Sequence, residues 1–362
     1  MLVSMKRLPF RDFHIVQILK AFRGEHCPLD LFIHRYFREH KSLGSSDRAS
    51  IAENIYDTVR QWGLEANYIE VKDLKNNTQE TLPPALFNLL HRHFGEAGAL
   101  SIAEELNRRA PTTIRANLLK ITRDQLLEKL AARFPVRPCL YSPTGIIFEE
   151  KTNFLALTEF TEGLFEIQDE ASQLIAHQLG VQPGDHILDY CSGSGGKSLA
   201  LAHHLQGKGQ LYLHDVRKKI LIQAKKRLAR AGIQNSQLIH NEELKRLNAL
   251  KGRMDFVLAD VPCTGTGTMR RNPDMKWRFT EEGLSRVLEL QRQIFTEALL
   301  FLKPRGQIIY ATCSLLPDEN QMQTEYFLKK LPLKQVKEPF CSLPSKGGMD
   351  GFYAVVFERT NC

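Results

Sequence analysis

Two cysteines, at positions 263 and 313, lie where chemistry could be done. Cys263 sits in FVLADVPCTGTGT and Cys313 in QIIYATCSLLPDEN. Each segment is an apolar run that stops at small, polar and reactive residues, as a strand does when its carboxyl end opens into a loop. In an open α/β sheet, ligands bind outside the carboxyl ends of the strands. Both thiols are therefore expected to border one crevice. A third strand, HILDY, runs into the glycine-rich loop CSGSGGKS beside them. An isolated strand-end cysteine is more often a small buried hydrophobe. Two of them on one crevice, next to a small-molecule loop, favour covalent chemistry.

Gly193, Gly195 and Gly196 close a tight strand-to-helix turn, where the lack of side chains lets a ligand approach backbone N–H groups. The loop lacks both G-x-G-x-x-G and G-x-x-x-x-G-K-[ST], which disfavours a dinucleotide or a nucleoside triphosphate. Asp215 ends the next strand, where a carboxylate can hydrogen-bond ribose hydroxyls. Loop and carboxylate together suit S-adenosylmethionine, which carries an adenosine but no phosphate. Asp215 could instead cap the following helix. Lys197 opens the helix after the loop, an unfavourable place for a cation near a positive dipole end, which hints at a use; the alternative is a solvated lysine. Asp260, Cys263 and the TGTGT run form a strand-end loop tight enough for a planar base to approach the backbone.

The elements that must position these residues follow from periodicity. Apolar residues recur at helical spacing in His14 to Phe22 and Pro28 to Phe37. Ile51, Ile55, Val59 and Trp62 do the same behind Ser46 and Asp47 as possible N-caps. A helical bundle is expected over 1–75, with the polar stretch Asp73 to Glu80 as a linker. Two helices between Pro83 and Arg109, strand TTIRANLL, helix QLLEKLAARF and strands GIIFEE and GLFEIQD predict a small α+β domain over 80–165. From about Ala171, strands alternate with helices, implying βαβ units and a mostly parallel sheet over 166–362. The final GFYAVVFER reads as an antiparallel edge strand.

The 362 residues carry a formal charge of +8, and residues 1–110 hold 15 basic against 14 acidic side chains, so the excess follows residue 110. A basic surplus in the catalytic part suggests a polyanionic substrate. The seven cysteines include no C-x-x-C pair, which argues against a structural zinc site and a disulfide framework. No 18-residue apolar run occurs. A cytoplasmic monomer without metal or membrane anchor is expected. Two basic groups stand out: Arg270, Arg271, Lys276, Trp277 and Arg278 after the DVPC loop, as a mobile clamp for phosphate and base, and the helix from Arg217 to Arg230, more simply a hydrated face. The histidine pair 203–204, with His91 and His93, has no evident catalytic use.

DYCSGSGGKSLALA, DVPCTGTGT, RRNPDMKWRF and YATCSLLPDENQ, in this order, resemble the motifs of the Sun/RsmB family of RNA cytosine-5 methyltransferases. LFEIQDEASQLIA precedes them and GFYAVVFER follows. IRANLLK resembles the R-x-N element of the family's middle domain, and the N-terminal bundle, more loosely, its NusB-like domain. The resemblance implies a Rossmann-like methyltransferase domain, S-adenosylmethionine as cofactor and RNA, ribosomal by analogy with members bearing the bundle, as substrate. It implies Cys313 as the nucleophile at C6 of cytosine, Asp260 on the N3/N4 edge, Lys197 near base and thiol, and Cys263 assisting product release. Cys191, Ser192, Gly193, Ser194, Gly195, Gly196, Lys197, Asp215 and Asp260 would line the cofactor site, and Arg115, Asn117, Arg270, Arg271 and Trp277 would contact RNA. Ser192 and Ser194 replace the usual alanine or proline. His240 and Asn241 stand where members often have an acid, so Asn241 would meet the adenine edge. The rival readings are a tRNA enzyme, a DNA cytosine-5 methyltransferase in which the P-C cysteine attacks, and a non-catalytic RNA-binding factor. Two reactive thiols have no use in the last.

Overall fold

The protein is seen in a computed structural model that describes residues 8–22, 27–61 and 81–360. The chain divides into two compact units, one of residues 1–109 with 268–281, the other of residues 110–267 with 282–362. Residues 84–106 cluster with the helical unit. The Asp73–Glu80 stretch and Trp62 lie outside the described residues.

The first unit is helical: α1 (Phe10–Phe22), α2 (Leu29–Glu39), α3 (Ser45–Gln61) and α4 (Pro84–Leu106). Ile51, Ile55 and Val59 are fully buried against Ile18, Leu19, Phe22 and Phe32, as their spacing requires. Ser46 and Asp47 fall within the first turn of α3 instead of capping it. Asp47 still opposes the helix dipole favourably, and it accepts a 2.7 Å bond from Arg11 Nε. The two helices expected between Pro83 and Arg109 are both present within α4, divided where Gly95 adopts φ 70° and ψ 174°, a conformation only glycine takes cheaply.

Residues 268–281 correct an expectation. In place of a mobile basic clamp, this segment packs into the helical unit. The Trp277 ring lies 6.0 Å from Phe22, and Arg270 is 1% exposed. Asp274 accepts from the Leu29 N–H at 3.3 Å and pairs with Arg278 at 2.9 Å. The indole packs on the bundle core, so Arg270 is withheld from solvent while Trp277 and Arg271 are half-buried. Lys276 is also buried, its Nζ donating to Arg60 O at 2.8 Å. Burial, reinforced by the Arg60 charge, lowers its pKa to about 7. The folded chain therefore holds this proton less tightly than the unfolded chain, and stability should rise with pH between about 7 and the ordinary lysine value of 10.5. Urea unfolding across that window should show the rise, and Lys276→Met should flatten it. An identical slope in the variant would clear this ammonium of the effect.

In the second unit, β1 (Thr112–Ala116), α5 (Arg123–Ala131), β2 (Val136–Pro138), β3 (Gly145–Phe148), α6 (Thr158–Thr161) and β4 (Phe165–Ile167) form a small α+β layer. Its strands pair antiparallel in the order β2-β3-β1-β4. Thr122 and Gln125 form a capping box that starts α5. There follow α7 (Glu170–Ala176), β5 (His186–Asp189), α8 (Gly196–Leu201), β6 (Gln210–Asp215), α9 (Lys218–Ala231), β7 (Ser236–His240), α10 (Leu244–Asn248) and β8 (Met254–Asp260). The chain ends with α11 (Glu281–Leu299), β9 (Leu302–Thr312), α12 (Gln321–Lys330), β10 (Leu333–Gln335), β11 (Phe340–Ser342) and β12 (Phe352–Arg359). The large sheet runs β10-β12-β9-β8-β5-β6-β7, with β11 against β12.

Strands β5 to β9 are parallel, which makes this an open, Rossmann-like α/β sheet. Alternate residues feed two cores, one on each face: Ile187, Leu258 and Ile309 on one, Leu188, Val257 and Tyr310 on the other. The chain leaves β5 towards β6 and β7, then returns to β8 and β9 on the other side, so the switch point lies at β5 and β8. β12 is antiparallel as expected, but it is not an edge. It lies between β9 and β10, and its residues Phe352 to Phe357 are all buried.

The R-x-N element ties the small layer to the large one. Asn117 Nδ2 donates to Gly163 O at 2.8 Å and to Ala231 O at 2.9 Å. Buried Arg115 donates to Gln168 Oε1 at 2.7 Å. Arg227 and Arg230 of α9 clasp Glu166 of β4 at 3.0 and 2.5 Å. Arg115 and Asn117 are thus interior brackets in this structure, not exposed RNA contacts, because buried carbonyl and amide groups need their hydrogen bonds. Among the described residues, no helix is long and apolar enough to cross a membrane. Asn117→Ala leaves two carbonyls unmatched and should cost about 1–3 kcal/mol in chemical denaturation. A variant as stable as the parent would contradict the bracket role.

Candidate active site

Strands β8 and β9 are parallel neighbours with Asp260 beside Ala311, so the loops that leave them are side by side. Cys263 lies three residues beyond β8, and Cys313 follows β9 directly. Their sulfurs are 3.1 Å apart, and the Cys313 N–H donates to Cys263 Sγ at 3.3 Å. The Gly267 N–H holds Cys313 O at 2.9 Å. Hydrogen bonding to Cys313, followed by burial, pushes the Cys263 thiol well above its usual range. Cys263 therefore stays protonated and can act as a donor.

Lys197, in the first turn of α8, reaches back to Asp260, with Nζ 2.6 Å from Oδ2. Burial works to lower its pKa, but the Asp260 carboxylate outweighs that and raises it. The Cys313 sulfur is close enough to contribute in the same direction. Nζ also lies 5.4 Å from the Phe352 ring centre. The poor fit of a cation to a helix start is resolved by this pair.

The glycine loop leaves β5 with Gly193 at φ +53° and Gly195 at φ +81°, and Gly195 forms the N-cap of α8. The Gly193 N–H donates to Asp215 Oδ2 at 2.9 Å. Asp215 Oδ1 accepts from the Arg217 N–H at 2.8 Å and Nε at 2.9 Å. Burial would raise this carboxyl, yet the bonds from Arg217 and Gly193 hold it below the usual range. The N-cap of α9 is Arg217, without a side-chain cap, so Asp215 does not cap that helix. Ser194 anchors the loop through Arg227, which donates to its carbonyl at 3.0 Å and its Oγ at 2.6 Å. Ser192 Oγ is buried without a hydrogen-bond partner. Cys191 is pushed up by burial, and Gly196 begins α8. Asn241 is exposed in the turn after β7, whose end pairs with that of β6 through His240 and Asp215.

Behind both thiols lies a polar layer that sequence reasoning missed. Glu319 is fully buried. Its Oε1 accepts from the Thr264 N–H and Gln291 Nε2, each at 2.9 Å, and its Oε2 accepts from Thr264 Oγ1 and Ser314 Oγ. The Tyr310 hydroxyl donates to Glu319 O at 2.7 Å. Asn320 bonds Thr312 Oγ1 at 2.6 Å and Ser314 O at 2.9 Å. The acid lay in plain view in the PDEN run, but no spacing rule links it to a loop 55 residues earlier.

The family model described as 16S rRNA methyltransferase RsmB/F matches residues 176–357, and a ferredoxin-like domain of RsmF/B-like methyltransferases matches 82–154. The ribosomal RNA small subunit methyltransferase B of Vibrio cholerae is 32% identical over 289 residues, covering 76% of this chain and 65% of that protein. The chain belongs to the RsmB/F family of 16S rRNA methyltransferases. It spans just under two thirds of that relative's length. Among solved structures, PH0851 matches 98% of this chain with TM-score 0.84 at 22% identity. NSun6 from Pyrococcus horikoshii, solved with SFG, matches 77% of this chain and 99% of that one, with TM-score 0.71 at 19% identity.

S-adenosylmethionine is the methyl donor of such a family member, and the residues here fit it. The orphan hydroxyl of Ser192 and the open space beside Gly193, where a side chain would meet nothing nearer than Arg217 at 4.0 Å, leave room and polar atoms for a ligand, with the Asp215 carboxylate at the next strand end. Removing Asp260 alone would strand the Lys197 ammonium, whose side chain is 8% exposed. Asp260→Ala should cost about 3 kcal/mol in urea unfolding, and Lys197→Met in the same chain should recover much of it. Two additive losses would show that the ions are not coupled.

Proposed function

We propose that this chain transfers a methyl group to carbon 5 of a cytosine in RNA, with small-subunit ribosomal RNA as substrate, through a covalent Cys313–C6 adduct. The observation that carries this reading is the pair of sulfurs 3.1 Å apart beside an ion pair between buried Lys197 and half-buried Asp260. The name of the Vibrio cholerae relative supports ribosomal RNA as the target class. SFG, an S-adenosylmethionine analogue, supports the cofactor through the NSun6 likeness in fold.

Carbon 5 of an aromatic pyrimidine is a poor nucleophile. The Cys313 thiolate forms a bond to C6, and the displaced π electrons make C5 electron-rich while N3 takes a proton from water, which it returns once the methyl group has been transferred. Asp260 faces the N3/N4 edge and stabilises the charge that develops there. Lys197 favours the thiolate electrostatically and holds Asp260 in place. S-adenosylmethionine, when bound, supplies an electrophilic methyl on a sulfonium. After transfer, C5 carries both the methyl and a proton. Loss of that proton to water re-forms the C5–C6 double bond as the Sγ–C6 bond breaks, and Cys313 departs with the electron pair as a thiolate. The protonated Cys263 thiol donates a hydrogen bond to that departing sulfur.

Replacing Cys313 by alanine should abolish methyl transfer from labelled cofactor. Retained activity would move attack to Cys263 and support the DNA-type alternative. Cys263→Ala should accumulate a protein–RNA adduct on denaturing gels; normal turnover without adduct would remove its release role. Asp215→Ala should weaken cofactor binding about tenfold by calorimetry, comparable to losing a hydrogen bond to a charged group. Unchanged affinity would place the ribose elsewhere.

A further inference from the structure

We propose that Glu319 is a positioning residue that sets Cys263 against Cys313, and that its loss slows product release more than nucleophilic attack. The inference rests on the two-cysteine reading above and adds to it a side chain that touches neither base nor cofactor.

One carboxylate gathers both catalytic loops. Residues on either side of Cys263 are tied to it. Thr264 donates its N–H and hydroxyl directly, and Pro262 O accepts from Gln291 Nε2 at 3.0 Å, the same nitrogen that donates to Glu319. Gln291 is itself fixed, its Oε1 accepting from Gln323 Nε2 at 3.0 Å. Beyond Cys313, Ser314 donates to the other oxygen. All four donors point at one fully buried group, so its oxygens are saturated without a ligand. Burial raises the Glu319 carboxyl while the Ser314, Thr264 and Gln291 bonds oppose that rise.

The dependence is unequal, and that gives the inference its signature. Cys313 follows the last residue of β9, whose ladder to β12 pairs Thr312 with Tyr353; Asn320 holds Thr312 Oγ1, and Gly267 holds Cys313 O. It keeps its place if Glu319 is lost. Cys263 lies in a loop outside any ladder, with both neighbours moored to the Glu319–Gln291 pair. Removing the carboxylate should displace chiefly Cys263, and a shift of about 1 Å in a reacting group can cost about 10²-fold in rate.

The test uses the full chain, labelled S-adenosylmethionine and an unmethylated small-subunit rRNA transcript. Glu319→Ala should retain methylation in the first turnover, lose about 10²-fold in repeated turnover and accumulate adduct as Cys263→Ala does. Glu319→Gln should restore most of the release rate, because its carbonyl still accepts from Thr264 and Gln291 while the two hydroxyls can rotate to accept from its amide. Parallel loss of first-turnover and repeated-turnover rates, or no adduct from Glu319→Ala while Cys263→Ala gives one, would overturn the inference. If Cys263→Ala itself gives no adduct, the release role fails and this inference with it. Should Glu319→Ala not fold, Thr264→Val removes a single hydroxyl donor and is expected to raise the adduct fraction severalfold; an unchanged fraction would count against the clamp.

Discussion

Parallel pairing of β8 with β9 holds two thiols within 3.1 Å of each other, and the remaining features of the site follow from that register. Because Asp260 and Ala311 are side by side, the loops DVPC and TCS emerge together and must share the same few cubic ångströms. A slip by one residue would turn each side chain to the opposite face of the sheet. Buried residues on both faces prevent that slip, since Val257, Ala259, Ile308 and Tyr310 serve one core while Leu258, Ile309 and Ala311 serve the other. The chemistry is thus fixed by packing well away from it.

Charge is handled in the same crevice by pairing. An ammonium and a carboxylate on different elements meet at 2.6 Å, which keeps the Lys197 ammonium charged where burial alone would discharge it. A second carboxylate, Asp215, stays ionised through backbone and guanidinium bonds. A third, Asp189, lacks that support; burial raises its pKa to about 7 despite the Ser198 hydroxyl at 2.7 Å. Two strand-end acids at the same crevice, Asp215 and Asp189, are therefore shifted in opposite directions by their surroundings.

Much of this was legible in the sequence. Strand-end cysteines, the glycine loop and Asp215 could be located because apolar runs of period two end abruptly at them, and the parallel sheet followed from alternation with helices. What escaped depends on partners distant in sequence. The type of Arg270 or Arg115 suggests solvent and phosphate, yet one is buried in the helical unit and the other bonds Gln168. The run GFYAVVFER looks like an edge, but a strand of only three residues, Leu333–Gln335, covers its outer side. Glu319 carries no local pattern at all; its meaning lies in Thr264 and Gln291, brought near by the fold.

The most direct measurement of the central claim is mass spectrometry of the adduct formed with a transcript carrying 5-fluorocytosine, in which fluorine stands in place of the C5 proton and cannot leave as a cation. After protease and nuclease digestion, the nucleotide mass is expected on the peptide containing Cys313, with the Cys263 peptide unmodified. Nucleotide attached to Cys263 instead, or no adduct in a chain that methylates unmodified RNA, would contradict the account.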